Sequence, residues 1–330
     1  APLGSGKTSF LEALRLKVFD ECNVKTLYLQ ERLGDADQLA AALSEVLGTH
    51  RRAGGLPELE VALTLPTRGA APLVVVIDNL EHVMLQSAGG TDLLQRLLGM
   101  MLRTDHAVFW LATVSDEAWR YARVSAGAFT ASVGTYLLAP LDRKQVADVI
   151  LGRHHRSGMT LRFTAPQDPS PLLKRRLRRA QNSERRQEIL RELYFDSLCR
   201  QSGNDLTLTM LYWLRSVEFQ EDGDVVAVRP LQPISFAELR NLDLVQLFTL
   251  RAFVMHNTLT AAELGMVLRL TPDRGVLILE SLMNLALIER VDTVGAARRD
   301  TVDTAVDRFK LGRVVLHPVL ERLRSAHIIY

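Results

Sequence analysis

Ala1-Pro-Leu-Gly-Ser-Gly-Lys-Thr8 opens the chain, and its reading decides the fold. It fits the phosphate-binding-loop pattern GxxxxGK[ST], with Ala1 in place of the first glycine. Gly4 and Gly6 let the backbone curl, so that the successive amides of Gly4, Ser5, Gly6, Lys7, Thr8 and Ser9 face one concave side. The positive end of the following helix, Ser9 to Phe19 with Phe10, Leu11, Leu14 and Val18 at helical spacing, adds to that anion site. Lys7 is placed to bridge the β- and γ-phosphates of a bound nucleotide, and the Thr8 hydroxyl to ligate Mg²⁺. Such a loop hangs from a strand. None stands before Ala1, so the expectation is a parallel sheet lacking its first strand in this chain, itself a piece of a longer protein.

A second signal agrees. Leu73-Val-Val-Val-Ile-Asp78 is a β-branched run ending in an acid, the pattern of a buried parallel strand. Ligands of open α/β sheets bind at that edge, where Asp78 would hold the Mg²⁺ shell opposite Thr8. Val24 to Gln30, Ala107 to Val114 and Tyr136 to Leu138 read as further strands, and Ala36 to Leu47 and Thr91 to Leu102 as helices. Gly54 to Pro72 reads as a long irregular connection. At the end of the Ala107 strand, Thr113 or Ser115 stands where a polar group can feel the γ-phosphate. Ser115 is an equally good helix N-cap.

Composition sets the bounds. A chain of 330 residues at roughly 150 per domain gives about two domains, and 47% apolar with 24% charged residues is ordinary for a globular protein. The formal charge of +2 gives no global argument for nucleic acid or an anionic membrane. Cys22 and Cys199 form no CxxC pair or zinc-type cluster, so a reduced, metal-free cytoplasmic protein is the expectation. No apolar stretch approaches the ~20 residues that cross a bilayer.

The loop, the strand Ile77-Asp78-Asn79-Leu80-Glu81-His82-Val83 and the later Tyr136-Leu-Leu-Ala-Pro-Leu141 followed by a helix resemble the STAND branch of AAA+-related P-loop ATPases. The chain is also similar to the initiator (origin-recognition) ATPases. The resemblance implies an α/β nucleotide-binding domain over 1–140, an α-helical lid over 141–232 and a winged helix over 233–330, with ATP or ADP and Mg²⁺ as ligands. It also implies self-association or a protein partner, with DNA as the alternative partner. Typical AAA+ motors carry a water-polarising Glu directly after the strand Asp; here that position is Asn79, which implies slow hydrolysis. Glu81 either substitutes as base or is a solvated helix-start acid, the reading preferred from sequence. Ser202-Gly-Asn-Asp-Leu206 is similar to the start of the lid's last helix, yet Leu206 stands where initiators place a phosphate-sensing Arg. Arg120 and Arg123 lie where such proteins carry an arginine finger, although exposed helix arginines are more often plain surface.

Asp142 to Ser157 reads as a helix ending in Arg153-His154-His155-Arg156, and its adjacent histidines point to different faces, as solvated helix-end cations rather than metal ligands. Lys174 to Arg186 holds seven cations in thirteen residues, either a phosphate grip or a solvated face. Leu206 to Val217 completes the lid, with Met210, Leu211, Trp213 and Leu214 read as core, and Val225 to Val228 is a short strand after a turn at Gly223. Leu244 to Met255, a helix opened by the capping box Thr260-Ala-Ala-Glu263, a third from Thr271-Pro-Asp273 to about Leu285, then strands at Leu287 to Val291 and Phe309 to Leu316, spell a winged helix. Its third helix offers Asp273, Arg274, Glu280, Ser281 and Asn284, a poor groove reader. Arg298, Arg299, Arg308 and Lys310 of the wing can still reach phosphates.

Overall fold

A computed structural model describes residues 6–48, 55–65, 71–219, 224–291 and 307–329. They gather into two compact units: one drawn from 1–138, 242–312 and 323–330, the other from 139–241 and 313–322. The predicted first and third segments thus share a unit. No helix among the described residues is long and apolar enough to cross a membrane.

The first unit begins with α1 (Lys7–Lys17), β1 (Asn23–Tyr28), α2 (Ala36–Leu47), α3 (Leu56–Thr64), β2 (Leu73–Asp78), α4 (Asp92–Arg103), β3 (Val108–Ala112), α5 (Asp116–Ser125) and α6 (Gly127–Thr130). The strands form a parallel sheet in the order β1-β2-β3, with Tyr28 opposite Asp78 and Ile77 opposite Ala112. The β-branched residues Val74 to Ile77 are buried, as a central parallel strand requires. Leu39 and Leu43 of α2 and Leu94, Leu97 and Leu98 of α4 recur at helical spacing and meet Val75 and Ile77 in one core. The predicted α2 is reproduced at both ends. Asp35 caps its N-terminus and Gly48 closes it in the left-handed conformation.

Two expectations here are corrected. The connection before β2 contains α3, begun by Pro57 in its first turn, and Leu56 and Leu59 sink into the core while Glu60 pairs with Arg103 at 2.6 Å. Tyr136 to Leu138 is not a strand: it pairs with none of β1, β2 and β3. Tyr136 and Leu137 are exposed, and the Tyr136 ring stacks on Phe10 with centroids 6.3 Å apart.

The second unit holds α7 (Arg143–His155), β4 (Thr160–Phe163), α8 (Pro171–Arg179), α9 (Ser183–Ser202), α10 (Leu206–Ser216), β5 (Val217–Phe219) and β6 (Val225–Val228). Its small sheet runs β4-β6-β5, and its core is the aromatic cluster of Phe163, Tyr194, Phe195 and Trp213. Leu214 is exposed rather than core, because α10 buries Leu208, Tyr212 and Trp213 instead. His154 is half-buried against Trp213, not solvated, and only His155 is exposed.

The winged helix lies in the first unit as α11 (Leu244–His256), β7 (Thr258–Thr260), α12 (Ala261–Leu268), α13 (Pro272–Asn284), β8 (Ile288–Arg290) and β9 (Arg308–Leu311). Its antiparallel sheet has the order β7-β9-β8, and both halves of the Thr260–Glu263 capping box form. The second wing strand is shorter than predicted, since the chain after Val315 coils into α14 (Leu316–Ser325). Arg298 and Arg299 lie outside the described residues, as does Gly223.

Candidate nucleotide site

Gly6 adopts φ 84 immediately before α1, a conformation that favours glycine, and a Cβ there would meet nothing within 4 Å. Gly4 and Ser5 lie outside the described residues, while Lys7, Thr8 and Ser9 form the first turn of α1. Burial pushes the Lys7 ammonium below the ordinary lysine value, and the negative charges of Glu81 and Asp78 oppose that shift.

The Thr8 hydroxyl donates to Asp78 Oδ2 at 2.8 Å, across 70 residues of sequence. The other oxygen, Oδ1, accepts from the Thr113 hydroxyl at the end of β3. The Asn79 amide in turn donates to Thr113 Oγ1 at 3.1 Å. The carboxylate, buried at the C-terminal end of the central strand, is therefore gripped by the helix after the loop and by the neighbouring strand. Of the two polar groups predicted after β3, Thr113 joins the site. Ser115 caps α5, accepting from the Ala118 amide at 3.3 Å.

Asn79 sits at φ 66, ψ 54, the left-handed region in which Asn is among the better tolerated side chains. Its Nδ2 donates to the Leu29 carbonyl at 3.2 Å. This position therefore has a conformational reason for carrying Asn, a requirement that the sequence pattern did not expose.

Glu81 corrects the sequence reading: it is fully buried in the 3₁₀ turn Leu80–Val83, not solvated. Its Oε2 accepts the Ser115 amide at 3.2 Å, and its Oε1 is buried without a hydrogen-bond partner. Burial raises its pKa above the usual carboxylate range, with Lys7 the main opposing charge. A carboxyl that resists ionisation, beside a lysine and with one oxygen unengaged, can hold or pass a proton.

The residues present fit a Mg²⁺–nucleotide. Mg²⁺ keeps most of its waters and takes one or two protein oxygens plus phosphates, which Thr8 and Asp78 can supply. Among the described residues no group of three or more His, Cys, Asp or Glu offers an all-protein metal site.

Other predicted residues are placed elsewhere. Arg120 pairs with Asp116 at 3.1 Å on its own helix, and Arg123 is exposed. In the second unit, Gly203 and Asn204 both have positive φ, Asp205 caps α10 through the Leu208 amide at 2.7 Å, and the His317 ring lies flush on Gly203. Arg308 is not a free wing cation, since its guanidinium binds both oxygens of Glu263. Lys310 pairs with Glu289 at 3.2 Å.

No protein-family model matches the chain, and no curated protein matches it in sequence. Among solved structures it is similar to the Aeropyrum pernix ORC1 protein in complex with DNA (16% identity, 99% of this chain, 86% of that chain, TM-score 0.37). It is also similar to the ADP form of the Aeropyrum pernix ORC2 protein (13%, 98%, 86%, TM-score 0.38). CDC6P from Pyrobaculum aerophilum gives 13%, 99%, 86% and a TM-score of 0.38.

Proposed function

We propose that the chain is a P-loop ATPase-type module that binds ATP and ADP with Mg²⁺ and acts as a nucleotide-dependent conformational or assembly switch. The observation that carries this reading is the 2.8 Å bond between Thr8 and Asp78 at the mouth of α1, with the half-buried Lys7 next to Thr8 in the chain. When bound, the Mg²⁺ supplies positive charge against the β- and γ-phosphates. Lys7 supplies the second charge from the protein, and the amides of the first turn of α1 orient the phosphates. Asp78 holds Thr8 and Thr113 in register for that ligand. Asn79 has no basic oxygen for water activation, so Glu81 is the carboxyl left to accept a proton; it can do so only when ionised, which its burial disfavours, and turnover is slow. Only a difference in affinity between two protein states can drive a switch, so ATP and ADP must favour different ones.

Lys7→Ala tests the reading. Equilibrium binding of fluorescent ADP and of a non-hydrolysable ATP analogue should be lost at micromolar concentration, and retained wild-type affinity would end the assignment.

A second reading, a DNA-binding initiator or loader, has one observation in its favour. Lys174, Arg175, Arg178 and Arg179 line one shallow concavity of α8 with Pro171, and all are exposed. Against it, the outward face of α13 shows Asp273, Glu280, Val276 and Leu277 around Arg274. DNA affinity measured across salt discriminates, because several phosphate contacts give a steep log–log slope.

A further inference from the structure

Directly behind the turn that carries Asn79 and Glu81 lies a buried group of charges. Arg32, just beyond the end of β1, is almost wholly enclosed. Its Nη1 donates to the carbonyls of Glu81, at 3.2 Å, and Met84. Its Nη2 donates to the Thr258 carbonyl at 3.3 Å, and its Nε to Glu263 Oε1 at 3.1 Å. One guanidinium therefore gathers acceptors from the 3₁₀ turn, from β7 and from α12. Glu263 also takes Arg308 through both its oxygens, at 3.1 and 3.2 Å, and accepts the Thr260 amide at 2.8 Å.

Carboxylate and guanidinium are both out of water, so each depends on the other for charge compensation. Arg32 is also the reason the turn has a fixed place. It holds the Glu81 carbonyl in one orientation, and tipping that carbonyl would rotate the peptide between Glu81 and His82. A planar fork of five donors meets this set of acceptors; the point charge of a lysine does not. A parallel link runs from the Glu81 side chain: Ser115, whose amide it accepts, donates its hydroxyl to the Met255 carbonyl of α11 at 3.5 Å.

We propose that Arg32 is a positioning residue for the nucleotide site: anchored by Glu263 of the winged helix, it fixes the Leu80–Val83 turn through the Glu81 and Met84 carbonyls. The seating of the winged helix then sets where Asn79 and Glu81 stand relative to Lys7 and Thr8. This rests on the nucleotide reading above and gives that switch its mechanical connection. By reciprocity, nucleotide that repositions the turn must change the strength with which Glu263 and Arg308 are held.

The test uses Arg32→Met, Glu263→Gln and the double variant in the full chain, with two measurements. Dissociation constants for fluorescent ADP and a non-hydrolysable ATP analogue should change in their ratio by roughly three- to thirtyfold in each single variant, in the same direction. The double variant should add little to Arg32→Met. In nucleotide-free protein, amide hydrogen exchange over 79–84 should accelerate at least tenfold in Glu263→Gln, while α2 stays protected. If Glu263→Gln leaves both the affinity ratio and that exchange at wild-type values, the proposal is overturned. Should Glu263→Gln fail to fold, Glu263→Asp keeps the charge while shortening its reach, and the same two readouts decide. A wild-type chain that binds neither nucleotide would sink the nucleotide reading, whereas exchange over 79–84 would still decide whether Glu263 holds the turn.

Discussion

Acid should loosen the first unit through His82. Its imidazole is buried at the end of the 3₁₀ turn, and burial, with Arg32 and Arg308 adding positive charge, lowers its pKa from 6.5 to about 3. The folded state therefore holds His82 neutral where the unfolded chain protonates it. Stability from this group is fully present above the unfolded value and is lost as pH falls from about 6.5 toward about 3. Between about pH 7 and about pH 5 the unfolded chain gains roughly 1.4 log units of protonation, worth about 2 kcal/mol. His82→Leu abolishes that part of the loss, whatever it does to stability at neutral pH. Urea denaturation followed by tryptophan fluorescence measures it. A Trp213→Phe background leaves Trp110 and Trp119, both in the first unit, as reporters. If wild type and His82→Leu lose the same stability over that interval, to within about 0.5 kcal/mol, the buried neutral imidazole is not what acid attacks.

Asp78→Asn keeps an acceptor for the two threonine hydroxyls but removes the charge, so Mg²⁺ dependence and turnover should suffer more than nucleotide affinity, as titrations with and without the metal would show. Asn79→Glu places a longer side chain at φ 66 and breaks the bond to Leu29, so it should lower the melting temperature, by about 1–2 kcal/mol in stability, instead of restoring fast hydrolysis. Glu81→Gln should lower the single-turnover rate by ~10²-fold or more while leaving ADP affinity near wild type. Gly203→Ala should destabilise the second unit by more than about 2 kcal/mol, since a Cβ would stand 1.9 Å from the His317 ring at φ 57. His317→Ala should recover part of that loss, read by the same denaturation with Trp213 as reporter.

The site was legible where chemistry fixes both residue type and spacing. Lys7, Thr8 and Asp78 are short-range consequences of a loop, a helix start and a strand end, so the pattern alone finds them. Thr113 was legible as one of two polar groups after a strand; only the register of β3 on β2 picks it over Ser115. Glu81 was misjudged because acids near helix starts are normally solvated, and nothing local tells that the Ser115 amide binds it inside the core. Arg32 was missed altogether. Its partners are Glu263 and Thr258, 231 and 226 residues away, and no periodicity encodes a contact at that distance. The second and third winged-helix helices were legible from their start signals at Thr260 and Thr271. Its first strand, Thr258–Thr260, was too short to alternate. Tyr136 to Leu138 shows the converse: a strand-like composition makes no strand where the backbone does not pair.

The interruption of the first unit by the second along the sequence has a consequence for biogenesis. A ribosome adds roughly 5–20 residues per second, so the 231 residues from Arg32 to Glu263 take on the order of ten to fifty seconds to make. Once β2 has emerged, the β1–β2 layer carries this guanidinium without its counter-ion, while residues 139–241, most of the second unit, are being made. The nascent α/β layer is thus kept incomplete until the winged helix arrives, and synthesis halted before Glu263 leaves a product with an unpaired charge where its partner should be. Arg32 thus ties completion of the first unit's core to the translation of Glu263.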